Sequence, residues 1–153
     1  MADKLKLDNS WLGGDGMDKT GTTVMVRYRP NLQGFIDSSK YQTRIDLDWL
    51  YDDTGDGAYM PSSGEQTGME ELEEALGFTF ADDNQSILVF VYTSQGTRRW
   101  VWYTQDSHEA EQRMQEVINT FTDFDISITH KEDPEWKEYF GLIERYEDNS
   151  TVQ

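Results

Sequence analysis

The chain has no cysteine, and only two histidines and three prolines among its 153 residues. Without cysteine there is no disulfide framework, no thiolate nucleophile and no Cys-based zinc site. His108 and His130 stand in no HExxH or comparable spacing, which speaks against a His-based metal centre. No apolar run approaches the roughly 20 residues that span a bilayer. Met1-Ala2-Asp3-Lys4-Leu5-Lys6 lacks the apolar core of a signal peptide. A soluble, cytoplasmic protein with no cofactor and no membrane partner is expected.

Basic residues are also scarce. Lys and Arg number 13 against 30 Asp and Glu, a formal charge of −17. The deficit is regional. Residues 45–96 hold 12 acids and no base, whereas residues 1–44 carry +2 and residues 97–153 carry −7. Such a field repels nucleic acid and anionic membrane and attracts basic proteins or cations.

Aromatic residues are plentiful. Their 13% share is far too high for a disordered acidic tail, and they supply area that a 36% hydrophobic content would otherwise lack. The length suits a single domain over 1–153, with an ordered core at about 11–146 and frayed ends.

Residues 22–29 alternate, with Val24, Val26 and Tyr28 opposing Met25, Arg27 and Arg29, and Pro30 ends this strand. Residues 41–51 alternate more clearly. Ile45, Leu47, Trp49 and Tyr51 form one face and Arg44, Asp46 and Asp48 the other. Antiparallel pairing of these two strands would set Arg27 and Arg29 opposite Asp48 and Asp46. Thr67-Gly68-Met69-Glu70 reads as a capping box. The helix it opens points Met69, Leu72, Ala75 and Leu76 inward and Glu70, Glu71, Glu73 and Glu74 outward, with Gly77 as its stop. Residues 86–93 and 98–104 form a hairpin about Ser94-Gln95-Gly96-Thr97. Asp106 opens a second helix with the stripe Ala110, Met114, Val117, Ile118 and Phe121. Phe124, Ile126 and Ile128 mark a fifth strand. Asp133-Pro134-Glu135 starts a third helix, with Asp as cap, Pro at the first position, and Trp136, Tyr139, Phe140 and Ile143 on one face.

The order is ββαββαβα. It predicts an α+β fold: a ferredoxin-like βαββαβ core with an extra N-terminal strand and a C-terminal helix. The central hairpin is apolar on both faces, Leu88, Phe90 and Tyr92 against Ile87, Val89 and Val91, so the second sheet face needs a cover. The third helix and the segment around Trp11 are the candidates within the chain. A second copy, giving a homodimer through that face, is the alternative.

Several segments together resemble a bacterial family catalogued as Domain of Unknown Function 695. They are Trp11, Val26-Arg27-Tyr28-Arg29-Pro30, Met60-Pro61 before an acidic helix, the hairpin from Thr93 to Thr104 with Arg99, Trp100 and Tyr103, and Asp133-Pro134-Glu135-Trp136. The resemblance covers most of residues 11–140. It implies an α+β fold with these motif residues in structural roles. It offers no established activity, so no catalytic residue is carried over.

The candidate sites weigh unequally. Arg98-Arg99-Trp100-Val101-Trp102-Tyr103 mixes cations with rings that could stack single-stranded RNA, but the net charge opposes phosphate binding, and arginines lying along the edge of a hairpin core are the simpler reading. Asp52-Asp53-Thr54-Gly55-Asp56-Gly57 half-matches a calcium loop; Ser63 stands where a bidentate Glu is needed, so an Asp-Gly turn is preferred and no metal is expected. No nucleophile elbow or phosphate loop is present. What remains is the acidic surface: Asp52, Asp53, Asp56, Glu70, Glu71, Glu73, Glu74, Asp82 and Asp83 as a contact region for a basic protein, in an inhibitor, regulator or immunity protein. The alternative is a hydrolase-like enzyme using paired carboxylates or a divalent ion.

Overall fold

The alternating runs become strands of one antiparallel sheet. The computed structural model describes residues 7–8, 10–17, 23–51, 61–94, 96–121 and 124–151. In chain order the elements are β1 (Leu12–Met17), β2 (Thr23–Tyr28), α1 (Gln33–Asp37), β3 (Thr43–Leu50), α2 (Ser63–Phe80), β4 (Ser86–Ser94), β5 (Thr97–Thr104), α3 (Ser107–Ile118), β6 (Asp125–Glu132) and α4 (Lys137–Thr151). The six strands lie in the order β1-β2-β4-β5-β3-β6, and every neighbouring pair is antiparallel. The fold is therefore mixed α+β, with one strand and one helix more than the five strands and three helices expected.

The alternation in β2 and β3 holds, but their expected pairing does not. β2 lies between β1 and β4, and β3 lies between β5 and β6. Arg27 and Arg29 therefore never face Asp48 and Asp46. Strand β1 and helix α1 carry little sequence signal, because β1 reads Leu-Gly-Gly-Asp-Gly-Met and α1 is five residues long. At Gly13 an added Cβ would lie 2.2 Å from the Val26 carbonyl oxygen, so only glycine lets β1 approach β2 this closely. The hairpin closes with two residues between the paired Ser94 and Thr97, and Gly96 supplies the positive φ of +86°.

The two sheet faces are covered differently. Ile45, Leu47, Trp49, Leu88, Val91, Trp100 and Trp102 meet Met69, Leu72, Leu76 and Phe80 of α2 and Ala110, Met114 and Ile118 of α3. Val24, Val26, Tyr28, Ile87, Val89, Phe90, Val101 and Tyr103 meet Leu32, Phe35 and Tyr41 around α1 and Trp136, Tyr139 and Leu142 at α4. The face for which a second copy was invoked thus carries α1 and α4 of the same chain. Trp11 packs on the other face, against the α2–α3 core. A bulge between Leu88 and Phe90 breaks the simple alternation of β4, so Val89 and Phe90 both join the α1–α4 core and Val91 joins Leu88 on the opposite face.

Helix boundaries also shift. α2 starts at Ser63, four residues before the expected capping box, with Ser62 as N-cap accepting from Glu65 N at 3.2 Å. It runs through Gly77 to Phe80. Thr67 instead donates to Ser63 O one turn back. α3 opens as expected, with Asp106 accepting from His108 N and Glu109 N. α4 begins at Lys137 rather than in Pro134-Glu135, and Phe140 points outward while Leu142 is buried. Asp133 still caps it, accepting from Lys137 N at 2.9 Å and Glu138 N at 3.1 Å.

Candidate functional site

The acid-rich stretch separates into carboxylates with partners and carboxylates without. On β3, Asp48 takes a bidentate pair from Arg99 of the neighbouring strand, Nε to Oδ1 at 2.7 Å and Nη2 to Oδ2 at 2.9 Å. Asp46 is held by Arg44, Nε to Oδ1 at 3.1 Å and Nη2 to Oδ2 at 3.2 Å, and Arg99 Nη1 lies 3.7 Å from its Oδ2. Arg44 also reaches Glu138 of α4 at 3.2 Å. Burial pushes the Asp46 carboxyl above its ordinary pKa against the opposing pull of Arg44 and Arg99. The hydrogen bond to Asp48 pushes the Arg99 guanidinium above its own.

On α2 the expected acidic face is split. Glu73 turns inward, pairs with Arg27, and accepts from Trp100 Nε1 at 2.9 Å. Asp83, just past the helix, accepts from Arg113 Nη2 at 2.9 Å, and this bond holds its carboxyl below the usual carboxylate range. Arg113 also pairs with Glu109 at 2.7 Å. Arg99 points to the other sheet face, toward Asp48, and takes no part in these contacts. Glu70, Glu71, Glu74 and Asp82 remain exposed. Among the described residues none of the four has a cation within ion-pair distance, although the negative charge of Glu70 acts on Arg98. Asp52, Asp53 and Asp56, with the calcium-like turn, lie outside the described residues.

Phe78 belongs to the same outer face and is 81% exposed. Residues 70, 74 and 78 are four apart on α2, which stacks them in one stripe, and Asp82 lies just beyond the helix end. The expectation of a stop at Gly77 hid this ring. The signal that could have found it is the four-residue step from Glu74, read past the glycine.

The family-motif residues lock elements together. Tyr103 donates to Asp133 Oδ2 at 2.7 Å and stacks on Trp136 with ring centroids 4.0 Å apart. Burial and the Asp133 carboxylate push the Tyr103 hydroxyl above its ordinary pKa. Trp136 adopts a φ of +56°, rare for a bulky residue, and its Nε1 donates to Tyr41 O at 2.8 Å. Trp100, Trp102 and Tyr103 are all buried, so these rings offer no platform for stacking bases. Arg29 donates from Nε to Leu88 O at 2.7 Å and from Nη1 to Asp8 O. Arg27 and Arg29 both lie over the Trp11 ring, at 4.8 and 4.4 Å.

Trp11 separates two cavities. One, of about 460 Å³, is lined by Arg29, Glu73, Phe80, Leu88 and Trp102. The other, of about 340 Å³, is lined by Arg27, Arg98, Leu12, Met25 and Val91. Among the described residues no group of three or more His, Asp or Glu side chains is placed to hold a metal ion. His130 Nδ1 lies 2.7 Å from Glu111 Oε1 on the exposed edge. No helix among the described residues is long and apolar enough to cross a membrane.

A family model described as "Family of unknown function (DUF695)" matches residues 19–143. No curated protein and no solved structure matches the chain.

Proposed function

The chain belongs to the DUF695 family, a family of unknown function, and on that premise we propose that it is a protein-binding module, of inhibitor, regulator or immunity type, that recognises a basic protein through the outer face of α2. The observation that carries the reading is Phe78: a phenyl ring 81% exposed beside Glu70, Glu71, Glu74 and Asp82, which have no ion-pair partner among the described residues. An exposed aromatic ring costs solvation and stabilises nothing in the isolated chain, whereas desolvated aromatics dominate binding energy at interfaces. The surrounding carboxylates would steer a cationic partner and repel anionic ones.

We read the scaffold of this surface as a ferredoxin-like unit, β3-α2-β4-β5-α3-β6. The spatial order β6-β3-β5-β4 within the sheet and the placement of α2 and α3 on one face support that reading. β1, β2, α1 and α4 are then additions that widen the sheet and cover its second face.

The test is affinity capture with the full chain and with Glu70/Glu71/Glu74→Lys, followed by identification and titration of the retained proteins. The expected result is a basic protein retained by the native chain, lost from the triple variant, and released as salt rises. Equal retention by both chains would refute the reading. Glu73 is left intact because it belongs to the core network with Arg27 and Trp100.

A further inference from the structure

This acidic chain gathers three arginines at one end of the sheet. Arg27 of β2, Arg29 just beyond it and Arg98 of β5 share the α2 side of the sheet: Arg27 pairs with Glu73 of α2, Arg29 lies over Trp11, and Arg98 stands two residues before the buried Trp100, hence on the same face. One oxygen, Glu73 Oε1, serves both Arg27 and Trp100 Nε1. Arg98 donates from Nε to Thr93 Oγ1 at 2.8 Å and, among the described residues, has no carboxylate within ion-pair distance. Burial and the like charge of Arg27 both act against its guanidinium, while Glu73, Tyr51 and Glu70 act for it. A half-buried cation beside another cation is unfavourable unless something anionic joins it. With 30 acids in the chain, leaving it underserved is not for want of carboxylates.

The space beside Arg98 is shaped for a small molecule. The cavity of about 340 Å³ has Arg27, Arg98 and Thr93 as its polar wall and Trp11, Met25 and Val91 as its apolar wall. That volume lies within the usual range for ligand pockets. Met25, 44% exposed, is one of the few large apolar side chains left in contact with water. The overall charge of −17 penalises each further negative charge on a ligand, which disfavours nucleotides and other polyanions.

We propose that this cavity binds a small amphipathic carboxylate, its headgroup on the guanidiniums of Arg98 and Arg27 and its apolar body along Trp11 and Met25. The proposal does not rest on the α2 docking surface, and Phe78→Ala leaves it untouched.

The test uses octanoate as the probe, with octanol as its uncharged counterpart, titrated into the full chain by calorimetry and by methyl NMR. The expected result is saturable binding of one octanoate per chain, with shifts centred on the Met25 methyl. Arg98→Gln weakens it by about tenfold or more, the loss of one charge-assisted contact. Octanol binds at least about tenfold more weakly than octanoate. Arg113→Gln, on α3, leaves the affinity within about twofold, as an independent surface change should. Absence of saturation by octanoate, equal binding of octanol, unchanged affinity in Arg98→Gln, or shifts confined to other methyls would each overturn the proposal.

Discussion

Strand β3 and helix α2 draw their acids from the same base-free stretch, yet they use them in opposite ways. Asp46 and Asp48 on β3 face Arg44 and Arg99 and become part of the sheet. On α2, Glu73 finds such a place, while Glu70, Glu71 and Glu74 stay at the surface. The difference comes from geometry. A strand sets each side chain beside a residue on the next strand, so an arginine distant in sequence, Arg99, arrives at about 5 Å. A helix sets its outer residues beside others on the same helix, and this helix contains no cation. Charge counted along the chain therefore overstates the anionic surface where the acids lie in strands and describes it fairly where they lie on a helix.

A graded set of substitutions would break or sharpen this comparison. The largest effect belongs to Asp133, a buried paired acid that caps α4 and receives Tyr103. Asp133→Ala loses about 2–4 kcal/mol in urea unfolding, from the cap and the charge-assisted bond together. Next, Arg99→Gln leaves Asp48 and Asp46 short of their partner and costs about 1.5–3 kcal/mol in the same measurement. Smaller is Asp83→Asn, which removes an exposed pair with Arg113 and costs less than about 1 kcal/mol. Its pH dependence has a fixed sign. The folded Asp83 carboxyl lies below its ordinary pKa, so its contribution is complete above the unfolded value of about 3.9 and is lost as pH falls through the lower folded value. Asp83→Asn therefore removes part of the acid-side loss of stability and leaves the slope above about pH 5 unchanged. The smallest effect is on α2: Glu74→Gln relieves its repulsion with Glu70 and raises stability by about 0.2–0.5 kcal/mol. A large loss there would mean that the outer face of α2 is part of the fold after all.

Much of the sheet was legible because period-two alternation survives in β2, β3 and β5, and because the Asp106 and Asp133 caps are local chemistry. Strand pairing beyond the β4–β5 hairpin was not legible. Nothing local in residues 22–29 tells β2 to pair with β1 and β4 rather than β3, and β1 is too rich in glycine to read as a strand. The β4 bulge was invisible for the same reason: it adds one residue to a run that is apolar throughout. At the candidate surface, Glu70, Glu71 and Glu74 could be placed on the outside from helical spacing alone. Glu73 could not be singled out, since its partners Arg27 and Trp100 lie 46 and 27 residues away. Phe78 was hidden by treating Gly77 as a stop, although α2 carries the glycine within its last turn.

The most direct measurement compares the native chain with Phe78→Ala for affinity toward the basic protein retained in the capture experiment. This change keeps the charge at −17 and, as an exposed site, alters stability by no more than about 0.5 kcal/mol. The account predicts that binding weakens by about tenfold or more while folding stays unchanged. Equal affinity in the two chains would contradict it and reduce the acidic face of α2 to a solubilising surface.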